Sequence, residues 1–203
     1  MTGTEGFRHL PGYLRPDRQA RLLAQIREAI VAAPLFAPIM PHTGKPFSVR
    51  MSNCGPLGWV SDQRGGYRYQ GVHPDTDRPW PAMPTALVEI WQDVSGYPVP
   101  PEACLINYYA AGARMGSHRD QDEEDPAAPV VSVSLGDDAT FHVGGARRTD
   151  PKRRMLLKSG DVVVLGGAAR MSYHGIDRIH PGTSTLLPEG GRLNLTLRRV
   201  TRA

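Results

Sequence analysis

From Pro101 onward the chain offers one short strand candidate after another, with no helix between them. ACLINYY, VVSVSLG, ATFHVGG, MLLKSGDVVVLGG and RLNLTLRRV are separated by Gly, Asp and Pro clusters. Parallel strands need crossovers of a dozen or more residues, so this half reads as an antiparallel sandwich or barrel. The last segment alternates with period two. Leu193, Leu195 and Leu197 fall on one side; Arg192, Asn194, Thr196 and Arg198 fall on the other. The leucine side is core. Taken alone, the polar side is ordinarily a solvent-facing row, and two arginines about it still ask for a reason.

The first hundred residues read differently. RPDRQARLLAQIREAIVAA, Arg15 to Ala33, sets Leu22, Leu23, Ile26, Ile30 and Val31 at helical spacing, with Pro16 and Asp17 near its start. PTALVEIWQDVSG repeats the pattern with Leu87, Ile90, Trp91 and Val94, and Gly96 supplies a stop. From Pro38 to Pro81 a stretch rich in Pro, Gly and aromatic residues shows no sustained period, which suits a functional loop or lid. The expected architecture is one α+β, mainly β domain over residues 1–203, with helices and lid in 1–100 and the strand-built core in 101–203.

Composition narrows the function classes. Hydrophobic content of 40% and charged content of 22% are ordinary for a soluble chain, and no apolar run approaches membrane-span length. The first thirty residues lack a signal-peptide layout, and Cys54 and Cys104 form no CxxC pair. A reduced, cytoplasmic setting with buried thiols is expected. The net charge is +4, with 21 Arg against 3 Lys. Arginine's planar fork suits phosphate, so the bias fits a nucleic-acid partner; skewed genome composition would produce it too.

SHRDQDEED holds the spacing His-x-Asp at His118 and Asp120. Residues two apart on a strand face the same way, so imidazole and carboxylate can grip one ion. With a distant histidine they make the facial triad of non-haem Fe(II) oxygenases. A second hit, His73-Pro74-Asp75, sits among turn residues and is set aside. His174, close behind DVVVLGG, is the best-placed third ligand; His142 and His180 read as structural. An oxygenase of this type needs a keto diacid beside the metal, and such a ligand wants bidentate cations. Arg192 and Arg198 are roughly 20 Å apart if extended, and inward-leaning side chains over a twisted strand can reach one small anion.

Taken together these residues resemble the AlkB family of Fe(II)- and 2-oxoglutarate-dependent dioxygenases. The likeness is densest through CLINYYAAGARMGSHRDQDE, APVVSVSLG, GDVVVLGGAARMSYHGI and RLNLTLR. Upstream, MSNCG, LGWV, GYRY and PWPAMP look like the bacterial DNA-repair branch. The resemblance implies a double-stranded β-helix, or jelly-roll, sandwich with N-terminal helices and a nucleotide-recognition lid. It implies His118, Asp120 and His174 as iron ligands. Arg192 would take the far carboxylate of 2-oxoglutarate and Arg198 the metal-bound end, with Asn107, Tyr109 and Asn194 as further contacts. Trp59 would stack on the damaged base opposite His118, and Asp122 would read its exocyclic amino group. Tyr67 and Tyr69 resemble lid residues touching the nucleotide backbone, and Arg148 a phosphate contact. Two departures stand out: the doubled Gly65-Gly66 lengthens the segment before Tyr67, and Leu165 replaces an aromatic residue before Gly166-Gly167.

The implied activity is oxidative demethylation of bases such as 1-methyladenine and 3-methylcytosine in DNA, preferably single-stranded, and in RNA. Fe(II), 2-oxoglutarate and O2 are consumed or used, and formaldehyde, succinate and CO2 are released. A lone, monomeric enzyme is expected, with no membrane and no obligate protein partner. Two alternatives stay open: a dioxygenase of the same fold acting on protein or lipid, and a non-catalytic cupin-like metal-binding module. Trp59 as packing, Asp122 within a solvated acidic run, and Arg147 to Arg154 as a wet basic loop are the corresponding plain readings.

Overall fold

The computed structural model describes residues 5–202. In chain order the elements begin with β1 (Phe7–Leu10), α1 (Pro16–Ala32), β2 (Arg50–Cys54), β3 (Gly58–Asp62), β4 (Gly66–Gln70) and α2 (Thr85–Val94). They continue with β5 (Ala103–Tyr109), β6 (Met115–His118), β7 (Val130–Gly136), β8 (Asp138–Val143) and β9 (Arg153–Leu157). β10 (Val162–Leu165), β11 (His174–His180) and β12 (Arg192–Arg198) complete the set. A six-stranded sheet runs β1-β10-β7-β12-β5-β2, a four-stranded sheet runs β6-β11-β8-β9, and β3-β4 form a hairpin of their own. Every pairing within them is antiparallel. This is the mainly-β jelly-roll sandwich with two helices. No helix among the described residues is long and apolar enough to cross a membrane.

Two apolar layers explain the alternation in β12. Leu193, Leu195 and Leu197 join Val131 and Val133 of β7 against α1 and α2, which bury Leu22, Leu23, Ile26, Leu87, Ile90 and Trp91. The second layer lies inside the sandwich, where Leu105, Val130 and Val163 meet Phe141, Val143 and Ile176 of the smaller sheet. Thus the polar side of β12 points into the sandwich. All seven of its residues are buried, so a solvent-facing row is excluded.

Several local expectations need correction. The stretch 38–81 is not structureless, because it contains β2, β3 and β4. β2 is buried from Met51 to Cys54 and therefore shows no alternation; β3 and β4 are five-residue strands joined by a turn at Gln63, Arg64 and Gly65, after which Gly66 opens β4 at φ +65. MLLKSGDVVVLGG is two strands in different sheets. Its corner at Lys158–Asp161 closes by a backbone hydrogen bond of 3.1 Å, with Gly160 at φ +89. Strands β1, β6 and β11 carry no clear period: the first two have four residues each, and β11 shifts register between Ile176 and Arg178. Val31, assigned above to the apolar face of α1, is 83% exposed.

Candidate active site

Strands β6 and β11 pair so that His118 and His174 are register partners, with ring centroids 4.6 Å apart. Gly175 permits that approach, since a Cβ there would lie 2.5 Å from the Met115 carbonyl oxygen. The Nδ1 of His118 lies 2.9 Å from the Gly116 carbonyl, and that of His174 lies 3.0 Å from the Ser172 carbonyl. A carbonyl only accepts, so each Nδ1 carries the proton and each Nε2 keeps a lone pair for a cation. Asp120 is not on the strand, as its spacing suggested, but two residues past its end. Its Oδ2 lies 3.8 Å from His174 Nε2, and one ligand atom from each of the three residues falls within 4.8 Å of the others.

Electrostatics prepare this set for a divalent cation. Burial alone would raise the Asp120 pKa, but Arg198, His174 and His118 hold it well below the usual carboxylate range. Burial and the neighbouring His118 push His174 down to about 4. A carboxylate and a neutral imidazole therefore stand together at neutral pH. Asp120 Oδ1 accepts from Arg198 Nη2 at 2.7 Å, while Oδ2 is buried with no partner. Two nitrogen donors and an orphaned carboxylate oxygen on one side fit Fe(II) with positions left open.

Beside this set lies a recess of about 70 Å³ whose floor is the polar side of β12. The register sets Asn194 between Asn107 of β5 and Ser134 of β7, and Arg192 opposite Tyr109. Asn107 Nδ2 donates to Asn194 Oδ1 at 3.3 Å, Thr196 donates to the same oxygen at 2.9 Å, and Asn107 Oδ1 has no partner. Arg192 is 1% exposed; its Nη2 donates to Ser134 Oγ at 2.9 Å, yet Nε and Nη1 are buried without acceptors. Burial lowers the Arg192 pKa. The same cause raises the Tyr109 phenol to about 12, which keeps it a neutral donor. A buried guanidinium with free donors fits a carboxylate. Arg198 is already engaged with Asp120 and accepts no new role without sharing it. Ser132 and Ser134 were not singled out in the sequence, although the Val-Ser alternation of β7 carried the signal; Thr196 was placed on the polar side of β12 but given no role.

A wider cavity of about 300 Å³ opens on the other side of the metal set. Trp59, Tyr67, Asp122 and Arg148 all line it, together with Phe47 and Tyr173. Trp59 stacks on Tyr67 with centroids 5.5 Å apart, and its Nε1 donates to Asp122 Oδ2 at 2.9 Å. Tyr67 is 46% exposed, and Arg148 is exposed on the rim. Tyr69 differs from the backbone contact expected of it. Its hydroxyl turns inward, donating to Glu123 and accepting from Arg198 Nη1 at 3.2 Å. Ser117 Oγ, buried without a partner at the wall, is a further residue the sequence did not mark. His118, Asp120 and Arg198 line both spaces.

The other candidate groups lie elsewhere. His73 is buried between Phe36 and Trp80 and bonds the Pro34 carbonyl at 2.8 Å. His142 pairs with Asp177 at 2.7 Å, and His180 with Thr140 at 2.8 Å. Cys54 and Cys104 are buried register partners on β2 and β5.

Comparison with known proteins agrees with this geometry. A family model of the 2OG-Fe(II) oxygenase superfamily matches residues 6–198. An alpha-ketoglutarate-dependent dioxygenase AlkB homolog of Caulobacter vibrioides is 50% identical over 203 residues, which is 100% of this chain and 91% of that one. The alpha-ketoglutarate-dependent dioxygenase AlkB of Escherichia coli is 45% identical over 184 residues, 89% of this chain and 84% of that one. The solved structure of OsALKBH1 superimposes with a TM-score of 0.81 at 29% identity, covering 96% of this chain and 98% of that chain. The chain belongs to the 2OG-Fe(II) oxygenase superfamily and, within it, to the AlkB dioxygenases, enzymes of Fe(II), 2-oxoglutarate and O2.

Proposed function

We propose that this dioxygenase demethylates alkylated bases, with 1-methyladenine and 3-methylcytosine as type substrates, in single-stranded DNA and also in RNA. One observation carries the reading: a polar recess with an orphaned guanidinium and a wider aromatic cavity meet at His118 and Asp120, two of the three residues of the metal set. A keto diacid suits the first space and a flipped base suits the second.

In this reading His118, Asp120 and His174 hold Fe(II), and Arg192, Asn107, Tyr109, Asn194 and Arg198 hold 2-oxoglutarate. Iron, O2 and 2-oxoglutarate together supply the oxidation of a methyl C–H bond, with succinate and CO2 formed and the methyl carbon lost as formaldehyde. The protein's own residues position and exclude. Trp59 offers a ring face to the base, a contact that tolerates several base shapes. Asp122 accepts from an exocyclic amino group, and Trp59 Nε1 holds that carboxylate in place. Arg148 and Tyr67 meet the sugar-phosphate backbone at the rim. A methyl on the pairing edge weakens pairing, so extrusion costs less for a damaged base than for an intact one.

The chain is read as one dioxygenase domain, 1–100 carrying the helices and lid and 101–203 the catalytic core. We read the enzyme as acting as a monomer without an obligate protein partner. Burial raises the Cys104 thiol pKa well above its ordinary value, which suits a reduced, cytoplasmic enzyme.

The test is incubation with Fe(II), 2-oxoglutarate and a single-stranded oligonucleotide carrying one methylated base. Formaldehyde and loss of one methyl mass from the oligonucleotide are expected. Turnover on an alkylated peptide or lipid, with the oligonucleotide untouched, would overturn the reading.

A further inference from the structure

The segment from Arg119 to Pro129 carries Asp120 and Asp122 but has no helix or strand. Something other than secondary structure must hold a metal ligand and a base-facing carboxylate there. Arg170, which follows a short 3-10 turn at Gly167–Ala169, reaches into this segment and is buried. Its Nη1 donates to the Asp120 carbonyl at 2.7 Å and its Nε to the Ala128 carbonyl at 2.8 Å. Its Nη2 donates to Glu123 Oε2 at 2.8 Å, with side-chain exposures of 3% and 1%. One planar guanidinium thus grips both ends and the middle of the segment.

Glu123 extends the grip. Its other oxygen accepts from the Tyr69 hydroxyl on the lid strand β4 and lies 3.5 Å from Arg198 Nε. Arg198 in turn donates to Asp120. Asp120, Glu123, Arg170 and Arg198 form a charge-balanced buried cluster in which Arg170 alone touches neither cavity. Its contacts are to the segment, to the Ala128 carbonyl and to its own neighbour Met171.

We propose that Arg170, acting through Glu123 and the Asp120 carbonyl, is the positioning residue that sets the Asp120 carboxylate for metal and the lid tyrosine against it. The inference rests on the metal reading of His118, Asp120 and His174. A lysine keeps the charge against Glu123 but cannot span two carbonyls and a carboxylate with one planar fork. Outer-shell partners of metal ligands commonly contribute roughly 10- to 100-fold in metal affinity.

The experiment titrates Mn(II) alone into the full chain, with the EPR signal of the free ion reporting what is unbound. Wild type, Arg170→Lys, Arg170→Gln, Glu123→Gln and His174→Ala are compared, each with a thermal unfolding curve. Arg170→Lys keeps the buried charge and Glu123→Gln keeps an acceptor for Arg170, so both serve if Arg170→Gln fails to fold. The expected result is Mn(II) affinity lowered by roughly 10- to 100-fold in the folded Arg170 variants, with a smaller loss in Glu123→Gln. The KM for 2-oxoglutarate should rise less than Mn(II) affinity falls. Wild-type Mn(II) affinity in Arg170→Lys and Glu123→Gln would overturn the positioning role while the metal site stood. Wild-type affinity in His174→Ala would overturn the metal site, and the proposal with it.

Discussion

The recess and the cavity share His118, Asp120 and Arg198, yet they are built on opposite terms. The recess is floored by β12 in the middle of the six-stranded sheet, where Arg192 to Leu197 each have register neighbours on both sides. Its recognition groups are buried and unsatisfied: two donors of Arg192 and the Asn107 carbonyl. The cavity is walled by a hairpin that forms its own sheet and by the irregular segment carrying Asp122. A two-stranded hairpin is marginal by itself. Asn53, Ile39 and Trp80 bond its backbone on one side, and towards the cavity side chains hold it: Trp59, stacked on Tyr67, reaches Asp122, and Tyr69 reaches Glu123. An invariant small diacid suits a site fixed by backbone register. A varied set of bases suits walls held by adaptable contacts.

Acid should expose the buried side of this contrast first. The unfolded chain protonates a histidine near its ordinary pKa, while folded His174 resists until about pH 4. Stability of the metal-free protein from this group is therefore complete above about pH 6.5 and lost as pH falls toward 4, by up to about 3 kcal/mol. Denaturant unfolding at stepped pH measures it, and a flat profile in wild type would place His174 outside the buried set. Next, Arg192→Met should raise the KM for 2-oxoglutarate by roughly 10- to 150-fold, the worth of a charge-assisted pair. Because it removes buried donors that lack acceptors, the metal-free protein should melt no lower than wild type. A clear loss of thermal stability would make Arg192 a structural residue. On the cavity side, Trp59→Ala should raise the KM for a methylated oligonucleotide by roughly 5- to 100-fold and leave that for 2-oxoglutarate unchanged. The smallest effect belongs to the rim, where Arg148→Ala should reduce the slope of log affinity against log salt by about 1.

The two regions were also unequally legible. β12 announced itself, because its leucines face the helices and its polar residues face the interior, and that division survives as strict alternation. What alternation could not reveal is that both faces are buried, since a lined cavity and bulk water select similar side chains. The spacing of His118 and Asp120 pointed to one ion, although Asp120 stands beyond the strand end rather than on the strand. The stretch 38–81 was less readable. Buried β2 and the five-residue strands β3 and β4 are too short or too uniformly packed to show a period. Tyr67 and Tyr69 share a face by spacing, yet one hydroxyl is drawn inward by Glu123 and Arg198, partners distant in sequence. Arg170 had no local signature at all; only the folded chain brings it to the carbonyls of Asp120 and Ala128.

The most direct test of the shared centre is an anaerobic crystal structure of the protein soaked with Mn(II) and 2-oxoglutarate. The account predicts one metal ion bound by His118 Nε2, Asp120 Oδ2 and His174 Nε2, with the distal carboxylate of 2-oxoglutarate on the free donors of Arg192. Metal density away from those three atoms, or the keto acid bound outside the recess, would contradict it.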